Sequence, residues 1–140
     1  MIRLVILLIA ITGTNILSAQ KYTAKVHEVS FIASYQFGRT PELLSKEAHV
    51  DINDSLSLTE LVKYMDEDTN LRLQKECTSL DVRVLVEVYL HGNIIYSLAL
   101  DNVGLLKYQG RAYRRSLKLN AIIEAMIKQK FMDCLGECCD

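Results

Sequence analysis

The fold is decided by the stretch from Asp81 to Tyr113, which reads DVRVLVEVYLHGNIIYSLALDNVGLLKYQGRAY. Apolar side chains recur at every second position in three successive runs, and this period is typical of strands that bury one face. Short segments containing Gly and Asn separate the runs. The pattern predicts a three-stranded antiparallel meander over residues 82–109.

The apolar residues select the register of the first hairpin. A three-residue loop at 91–93 keeps one face of both strands apolar, whereas a two-residue loop at 92–93 would place polar side chains among the valines. We therefore expect the longer loop, with Asn93 in the left-handed conformation that Asn tolerates. This register predicts the cross-strand pairs Val84–Leu100, Val86–Leu98, Val88–Tyr96 and Leu90–Ile94.

The second hairpin extends the same apolar face. A loop at 102–104 pairs Leu100 with Leu106, so the two hairpins agree on one buried side of the sheet. A tight turn at Gln109-Gly110 would then return residues 111–114 as a short edge strand.

Several elements are predicted before the meander. Alternation over residues 29–37 predicts a first strand, which ends at Gly38. Thr40-Pro41 resembles a helix start, with Thr as the N-cap and Pro at the first helical position. Residues 48–52 form a short strand.

A further helix is predicted to begin at Ser57 and to close within Asp66-Glu67-Asp68. Ser57 and Glu60 fit a capping box because they lie three residues apart, and an apolar stripe follows at helical spacing. The stripe consists of Leu58, Leu61, Val62 and Met65. Residues 69–78 show no clear period and form either a connection or a second short helix.

The C-terminal segment carries the most regular helical pattern of the chain. Its apolar positions recur at intervals of three and four residues. They are Leu119, Ile122, Ile123, Met126, Ile127 and Phe131. We expect a helix that is capped by Ser116 or Asn120, ends near Gly136 and packs on the valine face of the meander. The predicted fold is therefore α+β, an antiparallel sheet of about four strands with this helix on one face and one or two short helices before the meander.

The N-terminus has the pattern of an export signal. Met1-Ile2-Arg3 is a short positive segment, residues 4–11 are apolar, and Ala19 supplies a small residue for cleavage. We predict a signal peptide over residues 1–19, with a retained N-terminal anchor as the alternative. The remaining residues 20–140 would form a single domain in the periplasm or outside the cell, with no membrane span.

Four cysteines follow this signal, at Cys77, Cys134, Cys138 and Cys139. An even number in an exported chain favours disulfides, with Cys77 joined to the tail. Free thiols or a disulfide-linked homodimer are alternatives. A thiolate metal site is less favoured because the Cys-x-x-Cys spacing and a nearby His are lacking.

No constellation in the sequence points to catalysis. His27, His49 and His91 lie far apart in the sequence, and there is no G-x-S-x-G, Gly-rich phosphate loop or H-E-x-x-H motif. We therefore predict no catalytic residue, no metal and no cofactor. A small secreted hydrolase remains an alternative because catalytic triads assemble across a fold.

Charge is unevenly distributed along the chain, although its formal net charge is only −1. Residues 105–130 contain seven bases and one acid, whereas residues 42–81 contain ten acids and four bases. Either the two regions neutralise each other or they form complementary binding surfaces. The candidate basic surface consists of Lys107, Arg111, Tyr113, Arg114, Arg115 and Lys118. The candidate acidic surface consists of Asp66, Glu67 and Asp68.

The sequence favours an exported, non-enzymatic binding module of the inhibitor or immunity type. Such a protein would recognise a protein partner through its charged faces. Export disfavours a nucleic acid as the partner. The alternative from another class is an envelope structural or assembly component that self-associates through a sheet edge or through tail disulfides.

Overall fold

A computed structural model describes residues 21–67, 70–75 and 80–131. Within these ranges the chain forms an antiparallel sheet with helices, which confirms the α+β class. The strands are β1 (Tyr22–Glu28), β2 (His49–Ile52), β3 (Arg72–Leu73), β4 (Val84–Leu90), β5 (Asn93–Leu100), β6 (Leu105–Tyr108) and β7 (Arg111–Arg114). The helices are α1 (Pro41–Leu44), α2 (Ser55–Asp66) and α3 (Leu117–Glu124).

The sheet of the described residues has seven strands in the order β2-β1-β4-β5-β6-β7-β3, so the expected four strands were an undercount. The meander β4-β5-β6 lies at its centre, as predicted. The sequence analysis did not predict β3 as a strand, because a segment of two residues is too short to show a period in the sequence.

The register of the first hairpin is confirmed as far as Val88, but the predicted pair Leu90–Ile94 and the predicted turn are wrong, because Leu90 pairs with Asn93. The pairs Val84–Leu100, Val86–Leu98 and Val88–Tyr96 are all present, and a bulge follows Val88. The bulge shortens the loop to His91-Gly92, with φ of 51° and 80°, so Asn93 is not the left-handed residue. A two-residue turn of this kind matches the twist of the strands, and the extra residue of the bulge preserves the apolar face.

The second hairpin and the following tight turn are also confirmed. Leu100 pairs with Leu106, and β7 returns alongside β6 through a turn at Gln109-Gly110. Gln109 has a φ of 49° and Gly110 a φ of 74°. However, β7 is not the edge strand, because β3 pairs with its outer side.

The predicted first strand over residues 29–37 is wrong. The strand is β1, which ends at Glu28 and places the buried Ala24 and Val26 opposite Val88 and Val86. Apolar and polar residues alternate both in β1 and in residues 29–37. Pairing with β4 therefore decides that β1 forms the strand.

Residues 29–37 form a loop that is held by a buried arginine. The Arg83 guanidinium donates to the carbonyls of Ser30 and Ala33, each at 2.7 Å. The Tyr35 ring lies against both Arg83 and Arg39, whose guanidinium carbons are 4.8 Å and 4.4 Å from its centroid. These contacts replace the strand pairing that the alternation predicted.

The main core lies between the valine face and a layer formed by α2 and α3. The predicted stripe of α2 is buried there, but α2 starts earlier than expected. Asp54 is its N-cap, since its carboxylate accepts from the Leu56 amide at 3.1 Å and from the Ser57 hydroxyl at 2.6 Å. The predicted cap Ser57 therefore lies inside the helix. Helix α2 ends at Asp66, the first residue of the segment predicted to close it.

Helix α3 is capped by Ser116, as predicted, but it ends at Glu124 and is shorter than expected. The following residues turn back toward the loop after β1. The Glu124 carboxylate accepts from the Phe131 amide at 2.8 Å, and the Gln129 side chain accepts from the Phe31 amide at 2.8 Å. The Phe131 ring stacks on Phe31 with 5.2 Å between centroids. The predicted end near Gly136 lies outside the described residues.

The opposite face of the sheet is only partly covered. Leu44 of α1 packs there with Val82, Leu85 and Ala99 in a second, smaller cluster. Thr40 caps α1 and Pro41 begins it, as predicted. None of the helices in the described ranges is long and apolar enough to cross a membrane.

The left-handed turn at Gln109-Gly110 provides a test of the second hairpin. Asn adopts positive φ more readily than Gln, so Gln109→Asn should raise the free energy of unfolding by about 0.5 kcal/mol. Gln36→Asn is the matched control, because Gln36 is also exposed and does not have positive φ. Urea denaturation measures both variants, and an equal effect in the two would contradict the assigned turn.

Candidate functional site

Exposed basic side chains lie along β6, β7 and β3 and on the first turn of α3, with Lys107 and Arg111 on opposite faces of the sheet. We call this surface the basic edge. It comprises the exposed residues Arg72, Lys107, Arg111, Arg114 and Lys118. All but Arg72 were predicted as binding residues from the charge distribution. Arg72 joins them only because the short strand β3 pairs with β7, and no periodicity in the sequence signals that pairing.

The pairing of β3 with β7 sets two arginines directly opposite each other. Arg72 faces Arg114, and Leu73 faces Tyr113. Residues that are directly opposite in an antiparallel pair project from the same face of the sheet, and like charges in this position destabilise it. The basic edge therefore places two positive charges opposite each other on one face of the sheet.

A cleft of about 360 Å³ lies next to this arginine pair. It is lined by Tyr64, Asn70, Arg72, Arg114, Arg115, Ser116 and Lys118. Hydrogen bonds fix its inner wall, because the Tyr64 hydroxyl contacts the Ser116 hydroxyl at 2.8 Å and donates to the Asn70 carbonyl at 3.1 Å. The Asn70 amide donates in return to the Tyr64 carbonyl at 3.0 Å. Arg72, Arg114 and Lys118 of the basic edge thus line a cleft whose inner wall is held by hydrogen bonds.

Arg115 belongs to the interior, unlike its predicted neighbours on the surface. Its guanidinium carbon lies 4.0 Å from the centroid of the Phe131 ring, and its Nη2 is 3.6 Å from the Asp101 carboxylate. The same carboxylate accepts hydrogen bonds from the three backbone amides of residues 103–105. Arg115 therefore ties the second hairpin to the C-terminal segment.

Tyr113 is half-buried and belongs to a row of aromatic rings on the helix side of the sheet. The Tyr113 and Tyr108 centroids are 6.5 Å apart, and those of Tyr108 and Tyr96 are 6.0 Å apart. The Tyr96 hydroxyl donates to the Asp66 carboxylate at the end of α2. This row links the basic edge to the predicted acidic surface.

The predicted acidic surface is partly engaged within the protein. Asp66 accepts from Tyr96, and the Glu67 carboxylate accepts from the Asn70 amide at 3.1 Å. Glu67 and Lys118 line one groove of about 400 Å³ between α2 and α3. No ion pair joins these two side chains in the part of the chain that the structure describes. Asp68 lies outside that part.

Two of the three histidines come together on the opposite face of the sheet. The rings of His27 and His49 have centroids 5.3 Å apart, while His91 lies in the first turn. Nδ1 of His27 donates to the Glu47 carbonyl at 2.9 Å, and its Nε2 is 3.6 Å from the Glu87 carboxylate. The sequence could not reveal this pair, because it depends on the register of β1 with β2.

No group of three or more metal-binding side chains is found among residues 21–67, 70–75 and 80–131. The four candidate disulfide cysteines, Cys77, Cys134, Cys138 and Cys139, lie outside these ranges. Their pairing therefore stays a prediction.

Comparison with models of protein families, with curated proteins and with solved structures finds no match for this chain. The basic edge and its cleft must therefore be interpreted from their own geometry.

The contact between Tyr96 and Asp66 leads to a prediction about alkaline stability. Burial and the adjacent Asp66 carboxylate raise the pKa of the Tyr96 phenol well above its ordinary value. The folded state then holds this proton more tightly than the unfolded chain, so its contribution is fully present below about pH 10 and declines at higher pH. Tyr96→Phe should cost about 1 kcal/mol at pH 7 and flatten the fall in stability above pH 10.

Urea denaturation at a series of pH values measures both effects. Asp66→Asn is the companion variant, because it keeps the phenol and removes the carboxylate charge. If Tyr96→Phe loses stability in parallel with the unsubstituted protein throughout the alkaline range, Tyr96 does not contribute to the pH dependence.

Proposed function

We propose that this protein is an exported, non-enzymatic binding module that recognises an acidic protein partner through the basic edge. The observation that carries the proposal is the direct cross-strand opposition of Arg72 and Arg114 beside the cleft. Carboxylates of a partner that lie between the two guanidinium groups would relieve their repulsion and accept charge-assisted hydrogen bonds.

Lys118 supports the same interpretation. It lies in the first turn of α3, where there is no acidic residue. The amino end of a helix carries partial positive charge, so a lysine in this turn is unfavourable in the isolated protein. Because Lys118 and the two arginines line one cleft, a single acidic segment can offset both electrostatic costs.

The fixed wall of the cleft contributes to affinity. Tyr64, Asn70 and Ser116 hold one another through hydrogen bonds between three segments of the chain. Such a frame is already ordered before the partner arrives, and less conformational entropy is lost on binding. The exposed arginines then supply the electrostatic steering that sets the association rate.

Export through a signal peptide over residues 1–19 is part of the proposal. The basis is the positive, apolar and small-residue pattern of that segment. The periplasm or the cell exterior would also favour disulfides among the four cysteines. In that compartment an acidic protein is a more available partner than a nucleic acid.

Arg72 should show opposite effects on stability and on binding. Arg72→Glu converts a like-charge pair into an opposite-charge pair, so it should raise the free energy of unfolding by about 0.5 kcal/mol. The same change should weaken binding to immobilised poly-glutamate at least about tenfold, because close interfacial charge pairs are worth 1.5 kcal/mol or more. Denaturation and biolayer interferometry measure the two effects.

Lys21→Glu is the matched control, because Lys21 is an exposed base outside the basic edge. It should change neither property to a comparable degree. Equal loss of poly-glutamate binding in both variants would mean that net charge alone governs the interaction. Loss of stability in Arg72→Glu would show that Arg72 is retained for the fold.

A further inference from the structure

We propose that two copies of this chain associate through the outer edge of β2, in an antiparallel strand pair with its two-fold axis at Val50. The partner is a second copy, and the two sheets become one continuous sheet. This inference is independent of the proposed function, because it uses the end of the sheet opposite to the basic edge.

In the described part of the chain, no strand lies on the outer edge of β2. Strand β2 is the terminal strand of the sheet and pairs with β1 alone within the described ranges. No other backbone hydrogen bond of the described residues involves residues 49–52. Val50 is 52% exposed although it lies on the apolar side of the sheet, opposite Val26. An open strand edge that carries an exposed aliphatic residue is a template for another strand.

The other end of the sheet is protected against such pairing. Strand β3 contains only two residues, Arg72 and Leu73, and exposed Lys75 follows shortly after. Very short edge strands and basic side chains are recognised devices against edge-to-edge association. The two ends therefore differ, and self-association is expected at β2.

The faces of β2 restrict the register. Val50 and Ile52 lie opposite Val26 and Ala24 on the helix side, so His49 and Asp51 project from the opposite side. In a continuous sheet, the residues paired across the two copies must project from the same face. This condition holds only when the two-fold axis lies at a residue and not between two residues. Within the central part of β2 the choices are His49, Val50 and Asp51.

Charge selects among these three registers. An axis at Asp51 sets two carboxylates directly opposite each other, and an axis at His49 sets two imidazoles opposite each other. An axis at Val50 instead places His49 opposite the second copy's Asp51, twice by symmetry, and buries Val50 against itself. An imidazole opposite a carboxylate can donate a cross-strand hydrogen bond, and paired β-branched residues are favourable cross-strand neighbours.

The existing contacts of β2 fit this arrangement. His49 Nε2 is 3.4 Å from the Asp51 carboxylate within the strand, and Lys25 lies opposite Asp51 on the inner side. A second copy would add an imidazole–carboxylate contact on the outer side of this row. Helix α2 begins two residues after β2 and exposes Leu56, which is 70% accessible. This residue provides apolar surface beyond the strand itself.

Sedimentation velocity over a concentration series tests the association. Val50→Lys places two ammonium groups at the two-fold axis and should raise the dimer dissociation constant at least about tenfold. Leu73→Lys is the matched control, because Leu73 is 49% exposed and introduces the same charge at the other edge strand. It should leave the dissociation constant unchanged. Non-reducing denaturing gels distinguish this dimer from a disulfide-linked one, which would persist in the gel.

His49→Glu tests the register, because it sets a second carboxylate opposite Asp51 in the register centred on Val50. It should weaken the dimer, whereas Asp51→Lys combined with His49→Glu should restore it. A protein that stays monomeric at every concentration would overturn the proposal, as would equal effects of Val50→Lys and Leu73→Lys. Failure of the double substitution to restore association would overturn the register.

Discussion

The burial of the valine face of β4 is the constraint on which the rest of the structure depends. Val84, Val86 and Val88 are completely inaccessible to solvent, covered by the layer of α2 and α3. Each buried aliphatic side chain of this size contributes about 1.5–3 kcal/mol. Since a shift of one residue would expose the whole row, this face fixes the register of both neighbouring strands. The positions of the outer strands then follow from their pairing with these neighbours.

The sequence predicted strands and helices correctly where the spacing of apolar residues matched a single buried face. The valines of β4 and the stripe of α2 satisfy this condition, and both were placed correctly. Strand β1 was misplaced because residues 29–37 alternate as well, and only the demand of β4 for a partner decides between two alternating segments. Strand β3 escaped notice because two residues have no period. The pairing of Arg72 with Arg114 consequently could not be read from the sequence.

Buried charge explains the features that hydrophobic patterning could not reveal. Arg83 and Arg115 are each less than 10% exposed, and each fastens a segment without regular structure. Arg83 holds the loop after β1, whereas Arg115 lies between Phe131 and Asp101. A buried guanidinium must be compensated by acceptors or aromatic faces, so these arginines dictate where the chain turns. For this reason Arg114 and Arg115, adjacent in sequence, have entirely different roles.

The two ends of the sheet illustrate how charge arrangement, and not net charge, determines what an edge can bind. The chain is nearly neutral, with a formal charge of −1. At β3, Arg72 and Arg114 lie directly opposite each other, and under the proposed function this end binds an acidic molecule. At β2 the His49 imidazole and the Asp51 carboxylate lie on either side of an exposed valine, and such a pattern is complementary to itself when reversed. A dimer formed at β2 would therefore leave both basic edges accessible at its distal ends, and two moderate affinities for an acidic partner could combine without any new contact.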